Sequence, residues 1–70
     1  MEDAPHDRLA GLDRLIRETE ERRVEQMLHI AFLMADEADT TESEESLRQI
    51  EALLARMRVQ RVMLQSGSSP

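Results

Sequence analysis

The residues of this chain able to do acid–base or metal chemistry are two histidines, His6 and His29, and fifteen aspartates and glutamates; there is no cysteine. A metal centre in a helical bundle needs several ligands converging on one point, commonly through Glu-x-x-His pairs on facing helices. Glu25 stands four residues before His29, and Gln26 holds the position three before it, so that spacing is missing. Glu20, Glu25 and His29 are the only candidates for an inward-facing set. The expectation is therefore a chain with no cofactor and no metal, in which His29 is partly buried and hydrogen-bonded. Protonation of His29 at mildly acidic pH is then a possible way to loosen an interface built around it.

Nucleophilic catalysis has no better footing. The serines fall at positions 43 and 46 and between 66 and 69, away from either histidine, and no glycine-rich phosphate loop is present. These absences point to binding rather than to an enzyme. Net charge is -6, which disfavours nucleic acid and anionic membrane surfaces, both of which are held by Lys and Arg. Phe32 is the one aromatic residue, so stacking on bases or sugars is not an expected activity.

Charge is distributed unevenly. Residues 36–45 carry six acids and no base, whereas residues 46–70 carry four arginines against Glu51. Acids at the start of a helix and cations towards its end suit the helix dipole, which accounts for the pattern without a ligand. A calcium loop would need alternating oxygen ligands around a glycine, and this segment has no glycine.

The elements that must position these residues are helices. Glycine and proline are confined to Pro5, Gly11, Gly67 and Pro70. Pro5 suits a first helical turn, with Asp3 as a cap before it. The spacing of Leu9, Leu12, Ile16, Val24, Met27, Ala31 and Met34 predicts helix one from about 5 to 37. An acidic turn over 38–41 follows, with Thr41 and Glu44 spaced as a capping box. Helix two is predicted over 42–66, its seam formed by Leu47, Ile50, Leu54, Met57 and Leu64, with Arg61 interrupting and Leu53 widening it. Residues 67–70 read as a disordered tail. The expected fold is all-α: one domain over residues 1–70, a two-helix antiparallel hairpin dimerising into a four-helix bundle.

A turn near Asp39 and Thr40 sets the expected pairs: Met34 with Leu47, Ala31 with Ile50, Met27 with Leu54, Val24 with Met57 and Ile16 with Leu64. Leu9 and Leu12 then overhang the end of helix two. Arg61 falls beside Thr19 and Glu20, and a Glu20–Arg61 polar layer could set register; the simpler alternative is that the arginine stem is buried and its guanidinium solvated.

Residues 27–35, from Met27 to Ala35, are apolar on nearly every side, and a surface helix needs only one apolar stripe. Nine residues cannot span a bilayer, which takes about twenty. A chain of this size buries only about 60% of the surface it exposes unfolded, and without disulfide or metal it is expected to gain stability by association. The expected interface residues are Leu9, Leu12, Met27, Leu28, Ala31, Phe32, Leu54 and Met57. Met27, Met34, Met57 and Met63 are read as core fillers. The expected partner is a second copy of the chain. The alternative is a small regulatory or chaperone-like protein covering an amphipathic helix of one different, helical partner. Cysteine-free composition and a start lacking both a basic region and an apolar core give a cytoplasmic expectation.

Overall fold

The computed structural model describes residues 5–67, and these form two α-helices, α1 (Pro5–Ala35) and α2 (Thr41–Gly67), packed against each other as an antiparallel hairpin. The expected cap at Asp3 and the expected tail beyond 67 lie outside the described residues, except that Gly67 is the last residue of α2. Helix one ends two residues earlier than the periodicity predicts, and helix two starts one residue earlier.

The early end of α1 has a specific geometry. The Ala38 amide donates to the Leu33 carbonyl at 2.8 Å and the Glu37 amide to the Met34 carbonyl at 3.0 Å. Glu37 sits between them in the left-handed region, with φ of 58°. This pair of bonds around a left-handed residue is the Schellman stop, a position that glycine normally holds because it has no Cβ to clash. Apolar periodicity carries no sign of it.

The start of α2 also differs from the expected capping box. Asp39 Oδ1 accepts from the Thr41 amide at 3.0 Å and from the Thr41 hydroxyl at 2.7 Å. The Thr40 hydroxyl donates to Glu44 Oε2 at 2.8 Å, and the Glu44 amide donates to the Thr40 carbonyl at 2.8 Å. The cap is thus shared by Asp39 and Thr40, one residue upstream of the Thr41–Glu44 box. Hydrogen bonds from Thr41 hold the Asp39 carboxyl below the ordinary aspartate range, since they favour its charged form.

The seam of α2 runs as expected: Leu47 is half-buried, Ile50, Leu54 and Met57 are buried, and Arg61 and Leu64 are half-buried. The seam of α1 does not. Apart from Gly11, Asp13 and Glu20 beside it, the buried or half-buried positions of α1 are Leu9, Leu12, Ile16, Thr19, Arg23, Gln26, Ile30 and Leu33, an unbroken alternation of three- and four-residue steps. The expected stripe shared only the first three. Val24, Met27, Ala31 and Met34 are all exposed, so their expected pairings with Met57, Leu54, Ile50 and Leu47 do not make the core.

The seam passes instead through polar residues that find partners on α2. Arg23 Nε reaches Glu51 Oε2 at 3.2 Å, and Gln26 Nε2 donates to the Ser43 carbonyl at 3.2 Å. Thr19, 4% exposed, donates its hydroxyl to the Leu15 carbonyl one turn back at 2.7 Å, so no buried side-chain polar atom among the described residues lacks a partner. The apolar core consists of Ile16, Ile50, Leu54 and Met57, with Leu12 and Leu53 packed against it. Leu12 therefore does not overhang.

Candidate association surface

The hairpin is a single layer, 54 × 18 × 13 Å, with a radius of gyration of 16.2 Å. A compact domain of this length would have a radius near 11 Å. Two helices packed side by side cover only one stripe of each other, and the remaining faces need polar residues or a partner. Among the described residues Leu15, Val24, Met27, Leu28, Phe32, Met34, Val59, Val62 and Met63 are exposed, from 44% at Met27 to 70% at Phe32.

Five of these nine lie between residues 24 and 34 of α1. Val24, Met27, Ala31 and Met34 repeat the alternating three- and four-residue steps of a helix seam, one position round the helix from the seam that α2 occupies. Leu28 and Phe32 lie further round. α1 thus carries two seams over its second half, one closed by α2 and one open.

The flank bearing the open seam can be located from its ion pairs. Asp13, Glu20, Met27 and Met34 are seven residues apart and share that flank. Arg61 Nη1 pairs with Asp13 at 3.1 Å and Arg58 Nη2 pairs with Glu20 at 2.8 Å, so α2 covers the first half of the flank with arginine. Met27 and Met34 continue it without that cover. The same ion pairs correct the expected polar layer: Arg61 meets Asp13, not Glu20, nearly two turns nearer the start of α1. All four side chains are 38–55% exposed, so these are solvated pairs of small energetic weight.

Other expected site residues fall differently. Leu54 and Met57, 1% and 7% exposed, are closed inside the hairpin and are not on its surface. Leu9 is half-buried, and Leu28, Ala31 and Phe32 are exposed. His29 is exposed, not partly buried. Met27, Met34 and Met63 are likewise on the surface; of the four methionines expected as core fillers, Met57 alone fills the core. A second apolar area, which the sequence reading did not single out, is a shallow groove on α2 lined by Leu53, Met57, Val59 and Met63, with Arg56 and Gln60 at its edge. Its signal was present in the spacing of Leu53, Arg56, Gln60 and Met63, but two polar members hid it.

Among the described residues no group of three or more His, Cys, Asp or Glu lies close enough to hold a metal ion. No helix among them is long and apolar enough to cross a membrane. Compared with known proteins, the chain matches no family model, no curated protein and no solved structure.

Proposed function

We propose that this chain is a protein–protein interaction module without catalytic activity, whose hairpin associates with a second copy of itself to make a four-helix bundle. The observation that carries this reading is the open seam at Val24, Met27, Ala31 and Met34, with Leu28 beside it. Apolar side chains at seam spacing, on a chain that buries four apolar residues among those described, are surface that a partner stabilises by removing it from water. The half of the 54 × 18 Å face that bears the open seam offers roughly 500 Å², below the ~800 Å² each partner contributes to a standard interface and in the range of small, reversible ones. Isologous pairing of one patch with itself is the commonest closed solution.

Replacing Met27 and Leu28 together with aspartate tests the reading. Both side chains are exposed in the hairpin, so the variant keeps its helicity while losing its dimer by sedimentation. A folded double variant with the oligomeric state of the parent contradicts the proposal.

A further inference from the structure

The open seam also specifies a direction. We propose that the second copy docks α1 against α1 in antiparallel fashion, with Met27 of each chain opposite Ala31 of the other; this rests on the self-association proposed above and adds its surface, register and polarity.

Three observations carry it. First, in an antiparallel seam the residues of the three-step and four-step positions face each other, so Met27 meets Ala31 and Val24 meets Met34. Each pair sets a long side chain against a shorter one, as interdigitation requires. This register is the one that closes all four positions. A fully overlapped antiparallel pair would instead lay Val24, Met27 and Ala31 against the charged first half of the same flank, at Asp13, Arg17 and Glu20.

Second, α1 has no basic residue in its last turn, and that turn runs directly into Asp36, Glu37 and Asp39. A helix C-terminus is the negative end of the dipole and favours a nearby cation. Arg17 lies seven residues before Val24, exposed and in line with the open seam. In the proposed register it falls within about one helical turn of the acidic turn of the second copy. Each chain then supplies the cation that the other lacks.

Third, a parallel pair would place the two acidic turns side by side, each with six acids over residues 36–45. The antiparallel register separates them by about 25 Å, some three Debye lengths at physiological salt.

The chain has no cysteine, so introduced thiols report on one position each. Met27→Cys and Ala31→Cys chains, distinguishable by mass, are oxidised alone and as an equal mixture. Both sites are exposed in the single hairpin, and circular dichroism confirms that helicity is retained. The expected result is a disulfide between position 27 of one chain and position 31 of the other in the mixture, with little product from either variant alone, because like positions lie beyond the ~7 Å Cα separation a disulfide tolerates. Efficient linkage of each variant to itself means a parallel pair and overturns the inference. A dimer with no linkage at all places the interface elsewhere and also overturns it. Sedimentation of the unsubstituted chain is read separately: a monomer there defeats the dimer reading itself, whereas a dimer with the wrong linkage defeats the register alone. X-ray scattering provides a check without substitution, since the staggered pair is about 70 Å long and a particle no longer than the 54 Å hairpin contradicts it.

Discussion

Glu37 shows how a single residue can set the length of a helix at a cost. A left-handed conformation costs a non-glycine residue roughly 1–2 kcal/mol, and Glu37 adopts it, with φ of 58°, to close the hydrogen bonds that end α1. Glu37→Gly removes the Cβ clash, offset in part by the greater freedom of glycine in the unfolded chain. The expected net gain is about 0.5–1 kcal/mol, seen as a rise of a few degrees in Tm by circular dichroism; an unchanged or lower Tm contradicts the strain argument. Asp39 acts at the other side of the turn. Its carboxyl is held below the ordinary aspartate range by the Thr41 hydroxyl and amide, in that order. A depressed carboxylate stabilises the fold above its unfolded pKa, and that contribution is lost as pH falls through the lower, folded value. The Thr41 amide resonance, followed from pH 6 to pH 2, should therefore titrate with a midpoint below that of an unstructured aspartate. A midpoint at or above it would show that the cap is not formed. His29 is exposed and lies away from the open seam, so it is not placed to gate association through that seam.

At the scale of the helix, α2 was legible and the second half of α1 was not. Leu47, Ile50, Leu54 and Met57 are the strongest seam in α2, and the structure buries or half-buries them all. Leu54→Ala, at 1% exposure in a core of four, is expected to cost about 2–5 kcal/mol in urea unfolding, and a loss below 1 kcal/mol would mean that the core is not packed. In α1 the same rule chose Val24, Met27, Ala31 and Met34 because they are apolar and correctly spaced. The seam actually closed by α2 runs one position away, through Thr19, Arg23 and Gln26. Those residues are tolerated inside because Glu51 and the Ser43 carbonyl on α2, and the Leu15 carbonyl one turn back, satisfy them. Periodicity within one helix cannot register partners supplied by the other. The overhang expected for Leu12 failed with the same register, which also moved Arg61 from Glu20 to Asp13. What the sequence did show of the candidate surface is that residues 27–35 hold more apolar surface than one partner helix can cover; which side stays open required the position of α2.

For the whole molecule, the decisive property is a mismatch between shape and composition. Among the described residues, a one-layer hairpin with a radius of gyration of 16.2 Å buries four apolar side chains and leaves nine large hydrophobics in water. Self-association through the open seam would cover Val24, Met27 and Met34 and bring the partner against Leu28, with Phe32 further round, while the groove of Leu53, Val59 and Met63 on α2 remains at the uncovered end of a staggered pair. The most direct test is sedimentation equilibrium of the full, unsubstituted chain over a wide concentration range, with circular dichroism on the same samples. The account predicts a strongly helical dimer at high concentration that dissociates on dilution into single hairpins, which keep the core of Ile16, Ile50, Leu54 and Met57. A stable, fully helical monomer at high concentration would contradict it, because the open seam of α1 would then be tolerated in water without a second copy.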